Sequence, residues 1–234
     1  MPRRETPFFP EQYYHFYNRG NNRRAVFFER ANYLYFLHGM KKYLRESMDI
    51  LAYCLMPTHY HILVRVKGGG QGVSAAKTSA GEAPRQTSEV FKTSDVVTAP
   101  GVPLGVETSK AVSLAMQKFG ISYTKAINKR FDRVGSLFQG QFKGKPVQTY
   151  GHLLRLCVYI HANPVKDGLA ALPEDWEFSN YLEWLGLRDG TLVDREFIAE
   201  NFGAPDDYQK LVMEYIQTRY QPEDVIRYLQ MVEG

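Results

Sequence analysis

The run Met56-Pro57-Thr58-His59-Tyr60-His61-Ile62-Leu63-Val64-Arg65-Val66 constrains the fold more than any other stretch of the chain. Met56-Pro57-Thr58 reads as a tight connection, and the apolar and aromatic alternation from His59 to Val66 reads as a strand. On a strand, side chains two apart share a face. His59 and His61 therefore project together, and Tyr60 points the other way. Two imidazoles side by side on a rigid strand begin a metal site, but alone they lack a third ligand and a nucleophile.

The surrounding segments place that strand in a sheet. Tyr13-Tyr14-His15-Phe16-Tyr17 is aromatic and β-prone, and predicts a first strand; Asn18-Arg19-Gly20-Asn21-Asn22-Arg23-Arg24 follows as a turn-rich, arginine-rich loop. Between residues 30 and 47, Tyr33, Leu34, Leu37, Met40 and Leu44 recur at helical spacing. Residues 49–54 predict a second strand, paired with 59–66 as the adjacent central pair. A second helix is expected over 110–130 through Val112, Met116, Phe119, Tyr123 and Ile127, with Gly120 as a candidate break. Pro146-Val147-Gln148 reads as a fourth strand. A third helix, capped by Thr149, should end near Asn163, because Pro164 disfavours helix at the residue before it. The order strand, helix, strand, strand, helix, strand predicts an α+β fold of the ferredoxin-like β-α-β-β-α-β type, with the sheet covered on one side and a further helix behind the fourth strand.

Two regions depart from this frame. Gly68-Gly69-Gly70-Gln71-Gly72 opens a stretch to about residue 108 rich in Ser, Thr, Ala, Gly and Pro, which reads as a flexible insertion. Beyond residue 185, helices are expected at about 194–202, 205–219 and 222–232. The aromatics Trp176, Phe178, Tyr181 and Trp184 would pack this extension onto the body. The domain division is thus 1–185, with the insertion, and a helical extension over 186–234.

Charge separates along the same lines. The net charge of +4 divides into 24 Lys and Arg against 11 Asp and Glu over residues 1–170, and 5 against 14 over 171–234. A basic body with an acidic extension suggests a polyanionic partner for the body; a surface-charge bias without function is the other reading. From Lys118 to Lys145 there are seven basic residues and one acid, Asp132, around Gly135-Ser136-Leu137-Phe138-Gln139-Gly140-Gln141-Phe142-Lys143-Gly144-Lys145. Glycines permit close backbone approach, aromatics can stack on bases and lysines can meet phosphates, while the same aromatics can equally anchor a basic loop to the core. No apolar run approaches the roughly 18 residues of a membrane span. The N-terminal residues lack a signal-peptide core, and Cys54 and Cys157 sit in apolar segments as expected of buried thiols. These features predict a cytoplasmic protein without a membrane partner.

Chemistry concentrates at the end of the third helix, in Tyr159-Ile160-His161-Ala162-Asn163-Pro164. Tyr159 and Asn163 are four apart and share a helix face. A tyrosine phenol becomes a nucleophile where a nearby cation stabilises the phenolate or polarises a phosphate. An amide oxygen suits a hard divalent ion, and two imidazoles with one such oxygen suit Mn²⁺ as well as Mg²⁺. Each residue also has a structural reading. His-x-His pairs occur on strands without ligating, tyrosines pack amphipathic helices, and Asn before Pro terminates a helix.

Four ordered motifs together resemble the single-tyrosine HUH transposases, especially the REP-associated tyrosine transposases. They are Tyr14-His15-Phe16-Tyr17-Asn18-Arg19-Gly20, Met56-Pro57-Thr58-His59-Tyr60-His61, Leu137-Phe138-Gln139-Gly140-Gln141-Phe142-Lys143 and Tyr159-Ile160-His161-Ala162-Asn163-Pro164-Val165. The similarity spans about residues 12–185, apart from the insertion. It implies a divalent ion, Mg²⁺ or Mn²⁺, held by His59, His61 and, in place of the family's polar third ligand, Asn163. It implies Tyr159 as the nucleophile that cleaves single-stranded DNA to a 5′-phosphotyrosine and a free 3′-OH. The substrate it implies is palindromic single-stranded DNA folded into a hairpin, and the enzyme would be a monomer or a homodimer, nucleoid-associated when bound to DNA. Arg19, Arg23, Arg24, Lys118, Lys125, Lys129, Arg130, Arg133, Lys143 and Lys145 are the candidate DNA contacts. A hairpin-binding protein of the same fold that does not cleave is the alternative.

Overall fold

The computed structural model describes residues 7–68, 104–219 and 222–233. Four strands form one antiparallel sheet: β1 (Tyr13–Arg19), β2 (Met48–Met56), β3 (His59–Val66) and β4 (Lys143–Pro146), in the spatial order β2-β3-β1-β4. The central pair is therefore β3 with β1, and β2 lies at an edge. That edge is not open: Leu55 and Asn180 backbone amides bond to Phe178 and Tyr53 carbonyls, and the segment 178–180 runs along it. β4 comes earlier than the sequence predicts. Lys143–Pro146 pairs with β1, and Val147 contributes a bond from its amide to Tyr13 beyond the strand's end. Gly144 is opposite Phe16, where an added Cβ would sit 2.8 Å from that ring, so the early register requires glycine there.

Helix α1 (Arg30–Tyr43) and helix α2 (Leu104–Arg130) cover one face of the sheet. Tyr33, Phe36, Met40, Met116, Phe119, Tyr123 and Ile127 pack there against Tyr14, Phe16, Tyr60, Ile62 and Val64. The buried stripe of α1 differs from the predicted one, since Leu34 is exposed and Phe36 and Gly39 face inward instead. α2 begins six residues before 110 and absorbs the end of the predicted insertion; residues 69–103 of that insertion lie outside the described residues. Gly120 does not break α2, which runs through it from Leu104 to Arg130.

The other face is covered as well, which corrects the expectation of a sheet covered on one side. Helix α3 (Tyr150–Lys166) lies on β2 and β3, and α4 (Tyr181–Trp184), α5 (Arg195–Phe202), α6 (Pro205–Thr218) and α7 (Glu223–Glu233) close around it. Leu156, Cys157, Ile160, Trp184, Phe197, Tyr208, Val212 and Val225 share one core with Leu51, Cys54 and Leu63 of the sheet. A register shift between Ile50 and Ala52 turns both Leu51 and Ala52 toward this core. Cover on both faces explains why β3 is buried at nearly every position rather than on alternate ones. Among the described residues no helix is long and apolar enough to cross a membrane.

Pro164 does not end α3. It sits in the last turn, where losing one backbone donor costs little, and its carbonyl accepts from the amides of Leu169 and Ala170. The extra turn carries Lys166 onto the helix, two turns beyond Tyr159.

Candidate active site

Strand register builds the first part of the site. β1 and β3 pair His15 with Leu63, Tyr17 with His61 and Arg19 with His59. Directly opposed residues share a face, so His15, Tyr17 and Arg19 join His59 and His61 on the α3 side of the sheet. Arg19 thus belongs to a strand and not to the loop that the sequence suggested. The loop after it curls back over the Pro57-Thr58 turn. The Gly20 amide donates to the Thr58 carbonyl, and the Val26 and Phe27 amides donate to Pro57. A Cβ on Gly20 would stand 2.0 Å from the Arg24 carbonyl oxygen, so this return needs glycine.

α3 supplies the rest. Thr149 caps the helix by accepting from the His152 amide, and Leu153, Leu156, Cys157 and Ile160 anchor it. The Tyr159 ring then meets the His61 ring edge to face, with centroids 5.8 Å apart. Asn163 follows one turn later and is buried. The Lys166 ammonium lies 3.5 Å from the Tyr159 hydroxyl and 4.9 Å from its ring centroid. His161 turns away from the sheet histidines. Its Nδ1 is 2.6 Å from the Tyr208 hydroxyl and its Nε2 2.9 Å from Asn180 Oδ1, a structural role within the second core.

The polar atoms of this face are unevenly satisfied. Thr58 Oγ1 lies 2.9 Å from His59 Nδ1, and His15 Nε2 lies 3.0 Å from His61 Nδ1. In contrast, His61 Nε2, both amide atoms of Asn163 and the Tyr17 hydroxyl are buried without a hydrogen-bond partner among the described residues. Burial holds the His61 imidazole well below the usual histidine range, and the neighbouring His59, His15, Lys166 and Arg19 press in the same direction. A neutral imidazole with an unpartnered nitrogen, and an unpartnered amide one helical turn beyond the tyrosine whose ring it meets, are donor types that suit a divalent ion, so these residues fit one. Among the described residues no three His, Cys, Asp or Glu side chains gather as a ligand set. Were an ion held there, a third protein donor would have to be of another type, and the Asn163 amide is one.

The candidate DNA contacts divide into two groups. Arg19, Lys143 and Lys145 lie at β1 and β4 positions on the histidine face, with the Lys143 ammonium 5.6 Å from the Tyr17 ring centroid. Exposed Arg23 and Arg24 follow at the same end of the sheet. Lys118, Lys125, Lys129 and Arg130 belong to α2, on the opposite side of the sheet; Arg130 pairs with Glu29 at 3.2 Å, and Arg133 lies over the Phe28 ring. The residues overlooked in the sequence are His15, Tyr17, Lys166 and Tyr228. His15 and Tyr17 share the strand parity of Arg19, and Lys166 is seven residues after Tyr159, but only the β1–β3 register and the helix through Pro164 reveal either. Nothing local marked Tyr228.

No protein-family model matches this sequence, and no curated protein matches it. Fold and site define a mixed α/β protein with a four-stranded antiparallel sheet, one of whose central strands carries two histidines on one face, His61 meeting a helix tyrosine. A solved structure of similar fold is that of a REP-associated tyrosine transposase bound to a REP hairpin. The TM-score is 0.51 at 16% identity, over 83% of this chain and 98% of that one. At this identity the likeness establishes the shared fold.

Proposed function

We propose that this chain is a single-tyrosine HUH transposase of the REP-associated type, a metal-dependent enzyme that cleaves and rejoins single-stranded DNA beside hairpins. The observation that carries the reading is the meeting of the His61 and Tyr159 rings, contributed by motifs about a hundred residues apart, with the unpartnered Asn163 amide one helical turn further along α3. The four sequence motifs and the fold shared with a hairpin-bound transposase support it. The ferredoxin-like assignment belongs to the same proposal, supported by the order β1-α1-β2-β3-α2-β4 and by the central position of β1 and β3.

His59, His61 and Asn163 would hold Mg²⁺ or Mn²⁺, which when bound polarises a phosphodiester and neutralises its developing charge. Tyr159 Oη attacks the phosphorus. The Oη–P bond forms as the P–O3′ bond breaks, the phenolic proton passes to solvent, and the departing oxygen takes up a proton as a 3′-OH. Lys166, beside that hydroxyl, favours the phenolate. A second 3′-OH attacking the phosphotyrosine reseals the strand without ATP, since the covalent bond keeps the phosphodiester energy. Arg19, Lys143 and Lys145 on the histidine face, with Arg23 and Arg24 following β1, would hold the strand at the scissile phosphate. The α2 cations would grip a more distant part of the hairpin.

The test is incubation of hairpin-bearing single strands of both polarities with Mn²⁺, scored on denaturing gels. A covalent adduct that Tyr159→Phe abolishes, while hairpin binding persists, is expected. Cleavage without an adduct would move the chemistry to water. One observation favours the non-cleaving alternative: Tyr159 is only 1% exposed. Retention of hairpins with no nicking in Mn²⁺ decides for that alternative.

A further inference from the structure

The C-terminal helix reaches the histidine face. The Tyr228 hydroxyl of α7 lies 3.0 Å from His15 Nδ1, and His15 Nε2 lies 3.0 Å from His61 Nδ1. His15 is fully buried, its ring stacked at 5.1 Å on His61 and flanked by Tyr17. The Tyr228 ring is held edge-on by His152 at 4.3 Å. Three side chains from β3, β1 and α7 thus form one continuous relay.

Two facing ring nitrogens 3.0 Å apart share one proton, so the relay has two arrangements. In the first, His61 Nδ1–H donates to His15 Nε2, and His15 Nδ1–H donates to the Tyr228 oxygen. His61 Nε2 is then a bare lone pair. In the second, every donor and acceptor reverses, and His61 Nε2 carries the hydrogen. That nitrogen has no partner among the described residues, so the second arrangement buries an orphaned N–H. The first arrangement is therefore the stable one, and a phenol hydroxyl, able to accept as well as donate, is a terminus that permits it.

We propose that His15 is a positioning residue for His61: by accepting its Nδ1–H it fixes the tautomer and ring orientation that present Nε2 as a ligand, with Tyr228 completing the relay. This rests on the reading of His61 as a metal ligand. Histidine ligands generally give their second N–H to a carboxylate, carbonyl or water, and here a second imidazole takes that place. The acidic extension then belongs to the catalytic architecture, since its last helix terminates the relay.

Long-range ¹H–¹⁵N spectra of the imidazoles, recorded without metal, report which His61 nitrogen is protonated, and Mn²⁺ titration calorimetry reports affinity. In the wild type the proton is expected on Nδ1. His15→Phe, which removes the acceptor but keeps a ring, should shift proton population to Nε2 and weaken Mn²⁺ binding about 10- to 100-fold, the range typical of such outer partners. His15→Gln, which keeps an acceptor near the Nε2 position, should recover most of both. Tyr228→Phe should produce a smaller change in the same direction. A His61 proton on Nε2 in the wild type, or unchanged affinity and tautomer in His15→Phe, overturns the relay. Failure of the wild type to bind Mn²⁺ instead overturns the metal reading, and the metal-free spectra still judge the relay by the same criterion.

Discussion

The two faces of the sheet are built from the same strands and have opposite characters. The face under α1 and α2 is an aromatic wall in which Tyr14, Phe16, Tyr60, Phe36, Phe119 and Tyr123 pack ring against ring. The face under α3 carries His15, Tyr17, His59 and His61, and there the Tyr17 hydroxyl and His61 Nε2 are buried without a hydrogen-bond partner among the described residues. One strand, β3, contributes alternately to both. The aromatic wall supplies the rigidity, through apolar burial of whole rings, that lets the histidine face hold unsatisfied groups at fixed positions.

This division is broken most severely at Tyr159. Tyr159→Phe should lower adduct formation at least about 10³-fold, measured with labelled hairpin DNA, because it removes the nucleophile itself. His61→Ala should weaken Mn²⁺ binding about 100-fold or more by calorimetry. Its neighbour Tyr60→Ala should leave Mn²⁺ affinity of the folded protein unchanged and instead cost about 3–5 kcal/mol of stability in a denaturant titration. If Tyr60→Ala altered metal affinity as strongly as His61→Ala, the two faces would not be functionally separate. Asn180→Ala tests the covering of the histidine face. Its amide accepts from the Tyr53 backbone and donates to the Leu51 carbonyl, so losing it should cost about 2–3 kcal/mol.

The smallest effect belongs to the aromatic wall in alkali. Burial pushes the Tyr33 phenol up to about 12, above its ordinary value of 10.0. Between those values the folded state holds a proton that the unfolded state has released. The contribution is complete below pH 10 and is lost as pH rises toward 12, so stability should fall across that interval. Tyr33→Phe should flatten that part of a pH-dependent unfolding curve.

Much of the helix and strand order was legible because periodicity is a local property. The stripe through Val112, Met116, Phe119, Tyr123 and Ile127 is buried as its spacing predicts, and His59 and His61 share a face as alternation requires. The boundaries that failed were set by neighbours. β4 moved to Lys143–Pro146 because Gly144 lets the chain approach Phe16, and α3 ran through Pro164 because the lost bond falls in its last turn. Leu34 was misassigned because helical spacing identifies a stripe without saying which side meets another helix.

For the site, sequence alone determined the local chemistry: two imidazoles on one strand face, and a tyrosine one helical turn before an amide. Only the tertiary structure decided that these halves meet, that Arg19 and His15 stand in register with them, and that Lys166 and Tyr228 complete their surroundings. The physical reason is separation along the chain. Strand alternation and helical turns are set by the backbone within a few residues. Strand register and the docking of α3 and α7 are set by how whole surfaces pack, across 46 residues from His15 to His61 and 213 from His15 to Tyr228.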